Sequence, residues 1–178
     1  MKHTVFFSLI LGLAFTAVSC DSKKSSGETT EEQDSTKLVA GKYLNEKFGF
    51  GITYPSEYLT PDTILVSDSG QVFKSEDGLA NLKVWIDPRV TPVEGEAINL
   101  QPLYDEDIAY KSGYEITYKT YATTSYTIQG IIAGQIIFFQ KTIISHGNVV
   151  TGLFRYKGDV PEKNTYDAMT APLFNSFR

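Results

Sequence analysis

Alternation of apolar and polar residues predicts a domain built mainly from β-strands. The clearest case is 79–87, where every second residue from Leu82 to Ile86 is aliphatic and Trp85 belongs to the other face. This alternation is typical of a strand with one side in the interior. Stretches rich in β-branched and aromatic residues predict further strands at 48–54, 64–66, 71–75, 114–121, 124–129, 131–145 and 149–157. A turn at 145–148 joins the last two.

Two segments show helical spacing of apolar residues instead. Between 100 and 111 the apolar residues recur every three or four positions, which predicts an amphipathic helix ending at Gly113. After Pro161 a second stripe predicts a closing helix, in which Pro172 introduces a kink or an early end. Strands interrupted by one helix and closed by another indicate an α+β fold built around an antiparallel sheet.

The same patterns predict which side chains form the interior. The inward faces of three predicted strands and the stripe of the closing helix are the apolar surfaces that this fold must bury. We therefore expect nine residues to share one core: Phe48, Phe50, Ile52, Leu82, Val84, Ile86, Met169, Leu173 and Phe177.

The first nineteen residues form an apolar segment of a different kind. A basic start at Lys2 precedes an apolar run over 5–18. This run is too short for a bilayer core, which needs ~20 helical residues. Residues 1–19 are therefore predicted to be a signal peptide.

The only cysteine in the chain, Cys20, directly follows this segment. Ala17-Val18-Ser19-Cys20 resembles the lipobox of bacterial lipoproteins, in which the cysteine is diacylated and becomes the new N-terminus. The resemblance implies lipidation of Cys20, attachment to a membrane through its acyl chains, and a place in the bacterial cell envelope, at the periplasmic face or the cell surface. Residues 17–19 also fit the small-x-small cleavage site of an ordinary secreted protein, which is the alternative.

Residues 20–37 are predicted to be the lipidated cysteine and a flexible tether. From 21 to 37 the chain has no aliphatic or aromatic residue, so it has too little apolar surface to offset the entropy of ordering. A flexible coil of ~17 residues spans roughly 20–25 Å. Residues 38–178 have the size of one folded domain.

The charge of the chain excludes some partners. Cleavage after residue 19 removes Lys2, which leaves 15 basic against 21 acidic residues. A nucleic-acid partner is not expected, because phosphate binding needs clustered lysine and arginine. Adhesion to anionic lipid through a basic patch is disfavoured for the same reason, so acyl chains would hold the protein at the membrane.

The sequence contains no recognisable catalytic or metal-binding pattern, so we expect a non-enzyme without metal or cofactor. After cleavage His146 is the only histidine, and it lies in a predicted exposed turn. No cysteine remains in the domain to join it as a zinc ligand. The acidic run 105–107 is predicted to be a solvated helix face, because adjacent helical residues point in different directions. An envelope hydrolase that uses carboxylates or His146 is the alternative.

Aromatic residues supply the candidate partner-binding surface. Residues 88–99, with two prolines and a glycine, are predicted to be a long exposed loop. Trp85 lies opposite the inward face of its strand and needs cover from a helix, the 88–99 loop or a partner. Alternation along 114–121 places Tyr114 and Tyr118 on one face and Tyr121 on the other, and Tyr126 follows on the next strand. Tyrosine and tryptophan are enriched in protein interfaces. The alternative is that these rings pack under the flanking helices.

Residues 43–55, the helix after the 88–99 loop, and the ending Asn175-Ser176-Phe177-Arg178 resemble the PsbP-like superfamily. The resemblance implies an antiparallel sheet flanked by helices on both faces, an α/β/α sandwich. It also implies a domain that binds a larger partner rather than catalysing a reaction. We therefore expect a non-catalytic binding or assembly module for a protein or glycan partner. A structural envelope component is a further alternative.

Overall fold

The structure, a computed structural model, describes residues 40–65 and 67–178. The predicted signal peptide, Cys20 and the tether at 20–37 lie outside the described residues. Their assignments stay predictions.

The described residues form an antiparallel β-structure with two helices. The elements, in chain order, are β1 (Ala40–Asn45), β2 (Phe50–Pro55), β3 (Thr60–Pro61), β4 (Gly70–Lys74), β5 (Ala80–Ile86), α1 (Gln101–Tyr110), β6 (Glu115–Ala122), β7 (Ser125–Ile132), β8 (Ile136–Ser145), β9 (Asn148–Lys157) and α2 (Lys163–Ser176). Strands β1 and β2 pair as a hairpin, and the others form one sheet in the order β3-β4-β5-β9-β8-β7-β6. The α+β fold predicted from the sequence is confirmed at this level.

Two predicted strands differ from the structure for local reasons. No strand forms at Ile64 and Leu65, because Asp62 Oδ1 accepts hydrogen bonds from both backbone N–H groups, at 2.8 and 3.3 Å, and turns the chain. The predicted strand 131–145 is divided by a turn in which Ala133 and Gly134 have φ of 50° and 71°. Strands β1 and β3 were not predicted.

Both predicted helices form, with changed ends. Helix α1 ends at Tyr110, three residues before Gly113. Helix α2 continues to Ser176 with Pro172 inside it, so the predicted early end is wrong.

One apolar cluster joins α2 and the β1–β2 hairpin to one face of the large sheet. All nine predicted core residues belong to it, with Phe48 and Ile86 at its partly buried margin. The end of the chain is fixed to the hairpin, because Gly51 and Arg178 exchange backbone hydrogen bonds of 2.8 and 3.2 Å. The prediction of a common interior is confirmed.

A second apolar cluster contains Leu100 and Leu103, which flank the start of α1, together with residues of β7, β8 and β9. Two consecutive residues of β8 contact different clusters. Phe138 belongs to the second cluster, and Phe139 packs against the first. Side chains of a strand alternate between the faces of its sheet. The large sheet therefore buries apolar side chains on both faces, and each helix belongs to a different cluster.

Candidate functional site

Trp85 borders a surface recess at the β4–β5 end of the large sheet. The recess has a volume of about 460 Å³, and Ile64, Leu65 and Val72 contribute aliphatic side chains to it. Ile64 and Leu65 follow the turn set by Asp62 and are 88% and 53% exposed. An apolar concavity with exposed aliphatic residues beside a tryptophan is typical of a binding surface.

Two local features characterise the lining of this recess. At Gly70 a Cβ atom would lie 2.2 Å from the backbone oxygen of Val84, so only glycine allows β4 to approach β5 so closely. On the other side Lys83 Nζ lies 4.7 Å from the centre of the Trp85 ring. This distance permits a cation–π interaction. The recess is therefore partly cationic as well as aromatic.

The tyrosines of β6 do not have the predicted orientation. Ile116 lies opposite Gly130 and Tyr118 lies opposite Gln129, so Thr117 is an extra residue in β6. Such a β-bulge reverses the alternation beyond it. Tyr118 is thereby placed on the face opposite Ile116, whereas Tyr121, paired with Tyr126, is on the same face as Ile116. The predicted pairing of Tyr114 with Tyr118 on one face is wrong for this reason.

The four tyrosines also differ in exposure. Tyr118 and Tyr121 are 52% and 37% exposed. Tyr114 is half-buried, with its ring centre 5.7 Å from that of Phe138. Tyr126 is only 1% exposed. Tyr126, predicted as a partner-binding residue, thus has its ring inside the second apolar cluster and does not present it to solvent.

Trp85 and the exposed tyrosines lie on separate parts of the sheet. Strands β9, β8 and β7 separate β5 from β6. With strands about 4.8 Å apart, the intervening distance is roughly 19 Å. The predicted aromatic residues therefore form two surfaces, one at Trp85 and one at the β6 edge.

Asp107, predicted to be solvated, is instead the centre of a buried polar network. It accepts hydrogen bonds from the Tyr126 hydroxyl at 2.6 Å, from Arg89 Nη1 at 2.9 Å and from Gln140 Nε2. The Arg89 side chain also donates two hydrogen bonds to Asp87, at 3.0 and 2.7 Å. The network fastens the start of the 88–99 loop to α1.

The electrostatics of this network favour the ionised form of the Asp107 carboxylate. Burial opposes the charge of Asp107, but the Tyr126 hydrogen bond and the charges of Lys111 and Arg89 prevail and lower its pKa below the usual value. Burial, and then the Asp107 carboxylate, raise the pKa of Tyr126. Tyr126 is therefore a fixed hydrogen-bond donor and Asp107 a fixed acceptor. This arrangement suits structural support rather than proton transfer at neutral pH.

Sequence reasoning missed this network, although a signal was present. Leu100, Leu103 and Asp107 lie at i, i+3 and i+7, so one helical stripe carries them all. A carboxylate on an apolar stripe, four residues before Lys111, indicates an internal ion pair.

The remaining chemistry is sparse. His146 is exposed in the β8–β9 turn with φ of 48°, and its Nδ1 lies 3.1 Å from Ser145 Oγ. Its predicted position in an exposed turn is confirmed. In the described ranges no group of three or more histidine, cysteine, aspartate or glutamate residues is arranged to hold a metal ion.

A second recess, of about 400 Å³, lies between α2 and the β6–β8 part of the sheet. Asp167, on its wall, accepts hydrogen bonds from the Tyr156 hydroxyl and Lys163 Nζ. Burial opposes ionisation of Asp167, but these two partners lower its pKa below the usual value. A general acid in glycoside hydrolysis needs a raised carboxyl pKa. This recess therefore gives no support to a hydrolase.

The described part of the chain is thus an antiparallel α+β domain with an open apolar recess. Its structure is similar to the solution structure of cyanobacterial PsbP (CyanoP) from Synechocystis sp. PCC 6803, with a TM-score of 0.50 and 12% sequence identity. The alignment covers 82% of this chain and 95% of that chain. No protein-family model and no curated protein matches the chain. The domain has a PsbP-like fold, which confirms the resemblance at the level of the fold.

Neither helix within 40–65 and 67–178 has the length and apolar character needed to cross a membrane.

Proposed function

We propose that the chain is a non-catalytic binding or assembly module that contacts a protein or glycan partner through the Trp85 recess. The single observation that carries this proposal is the recess itself, where a half-buried tryptophan meets the exposed side chains of Ile64 and Leu65. Burying these side chains against a partner gains free energy in proportion to the apolar area removed from water. Tryptophan is also among the residues that most often dominate binding energy in interfaces.

The buried network supports this role by keeping the surroundings of the recess rigid. Trp85 is followed on the chain by Asp87 and Arg89, which bind each other and hold the loop against α1. A binding surface on a rigid scaffold loses less conformational entropy when it meets its partner.

We further propose that the module is displayed from the bacterial cell envelope by acyl chains on Cys20. The supporting observations are in the sequence: a short apolar run, small residues before a lone cysteine, and a polar tether after it. The tether would separate the domain from the membrane and leave the recess accessible.

For the domain itself we infer an α/β/α sandwich. The support is that α1 and α2 belong to apolar clusters on opposite faces of the large sheet. The resemblance to the PsbP-like superfamily implies a domain that binds a larger partner, which agrees with a binding role, although function is determined by the site and not by the fold.

Photo-crosslinking in intact cells tests the binding proposal. A photoreactive residue replacing Leu65 should capture a specific partner, because this position is exposed at the recess. The matched control replaces Leu44, which is 63% exposed on β1 in the other sheet. The proposal fails if position 65 captures nothing, or captures only what position 44 captures.

A further inference from the structure

Arg155, on β9, is a half-buried arginine with a side-chain donor that the described residues leave unpaired. It lies between Asn81 of β5 and Phe138 of β8. Its Nε is shielded from solvent and has no hydrogen-bond partner within 40–65 and 67–178. It also belongs to none of the ion pairs formed by these residues. An unsatisfied donor on a charged group favours an added acceptor, and a partner can supply one because Arg155 as a whole is only half-buried.

Lys83 is a second cation on the same face of the sheet. Asn81 lies opposite Arg155 and Lys83 opposite Leu153, so Lys83 and Arg155 are diagonal neighbours. Diagonal residues on one face are separated by about 7–8 Å. Lys83 is exposed and, like Arg155, takes part in none of the ion pairs.

The electrostatic surroundings also favour an anion near Arg155. Burial, and then the charges of Arg89 and Arg155, lower the pKa of Lys111 at the end of α1 against the opposing effect of Asp107. Lys111 pairs with Asp107 at 3.8 Å, and Asp107 is shared with Arg89. Since the whole chain has a formal charge of −5, this accumulation of cations is not a consequence of general basicity.

The geometry links this cationic pair to the recess. Lys83 Nζ lies over the Trp85 ring, and both residues line the recess. Arg155 and Trp85 are on the same face because Trp85 pairs with Thr151, four residues before Arg155. In an extended peptide, side chains two residues apart point the same way and lie roughly 7 Å apart.

From these observations we propose that the recess binds an acidic, extended segment of a partner polypeptide. A carboxylate of the segment pairs with Arg155 and Lys83, and an apolar side chain two to four residues away fills the recess beside Trp85. The planar guanidinium group matches a carboxylate through two parallel hydrogen bonds. This inference rests on the proposed function and specifies the chemistry of the partner.

A peptide titration of the full-length chain tests the inference. The probe is acetyl-Leu-Ser-Glu-amide, and the controls are the peptide with glutamine for glutamate and the peptide with serine for leucine. Binding is followed by NMR through the side-chain Nε–H signal of Arg155 and the indole N–H signal of Trp85. The glutamate peptide should shift both signals and bind at least about tenfold more tightly than either control.

Charge substitution provides the matched variant. Arg155→Gln should weaken binding of the glutamate peptide at least about tenfold. Lys42→Gln removes an exposed positive charge from β1 and should leave binding within about twofold. Circular dichroism confirms that both variants fold.

Equal binding of the glutamate and glutamine peptides would overturn the inference, as would unchanged binding in Arg155→Gln. Inorganic phosphate is titrated separately: a shift of the Arg155 signal by phosphate, with none by the glutamate peptide, would identify a phosphate site and equally overturn it. The proposed function is judged independently. If the photoreactive residue at position 65 captures a partner and Arg155→Gln leaves this capture unchanged, the binding role stands and only the proposed pairing of Arg155 with a carboxylate is wrong.

Discussion

At the scale of single residues, the Tyr126 hydroxyl is one of three hydrogen-bond donors to the buried Asp107 carboxylate. Tyr126→Phe keeps the ring but removes the hydroxyl, which leaves an ionised acceptor less satisfied. Loss of a buried hydrogen bond to a charged group costs about 1–3 kcal/mol. We expect urea unfolding to show a free energy of unfolding lowered by this amount.

Tyr118→Phe is the matched control for Tyr126→Phe, because Tyr118 is 52% exposed on β6. Its unfolding free energy should stay within about 0.5 kcal/mol of the wild type. Similar losses in both variants would contradict the structural role given to Asp107.

Asp107 also predicts a dependence of stability on pH. Its pKa is lower in the folded protein than the usual value near 3.8. The resulting stabilisation is therefore complete above the unfolded-state pKa, and it is lost as the pH falls through the lower folded-state pKa. Asp107→Asn should be less stable than the wild type at pH 7, with a difference that narrows as the pH falls below about 4.

Unfolding curves at several pH values measure this difference. Asp105→Asn, on the exposed side of α1, is the control and should follow the wild-type pH profile. If the difference in unfolding free energy between Asp107→Asn and the wild type stays constant down to low pH, Asp107 is not stabilised as an ion.

At the scale of elements, the β6 bulge depends on close contact with β7. A Cβ atom at Gly130 would lie 2.3 Å from the backbone oxygen of Glu115, so Gly130→Ala must separate the strands at this point. We expect a loss of stability of about 1–3 kcal/mol and faster amide hydrogen exchange along β6. Gly113→Ala, where nothing lies within 4 Å of the added atom, should change neither.

The elements show what the sequence could and could not predict. Alternation predicted β5 correctly. Its inward-facing residues Leu82 and Val84 are both fully buried in the structure. It failed on β6, because an inserted residue such as Thr117 shifts the register without a compositional signal. The turn at 62–65 was missed because a single Asp62 side chain outweighs the β-propensity of the aliphatic residues after it.

The sequence predicted only part of the candidate site, because the rest depends on contacts between residues that are far apart in the chain. The sequence placed Trp85 opposite the inward face, but the recess also requires Ile64 and Leu65, which come from a turn about twenty residues earlier in the chain. Arg155 is another such case, since its lack of a partner depends on side-chain positions that no local pattern specifies.

At the scale of the whole molecule, the proposed lipidation of Cys20 would determine where the domain is held. A protein that carries acyl chains on Cys20 should partition with membranes and be released by detergent. Cys20→Ser should move it to the soluble fraction, because cleavage after residue 19 leaves 15 basic against 21 acidic residues, and this negative balance does not attract the protein to anionic lipid. Mass spectrometry of the mature N-terminus, together with cell fractionation, provides the measurement. An unmodified Cys20, or a membrane-bound serine variant, would contradict lipidation.

The central claim is that the recess at Trp85 binds a partner. The most direct test measures the affinity of the crosslinked partner for purified variants of the protein. Trp85→Ala should raise the dissociation constant at least about tenfold, a change of about 1.4 kcal/mol in binding free energy. Tyr118→Ala, on the separate β6 surface, should leave it within about threefold. A Trp85→Ala variant that folds and binds as the wild type does, or a larger loss from Tyr118→Ala, would contradict the account.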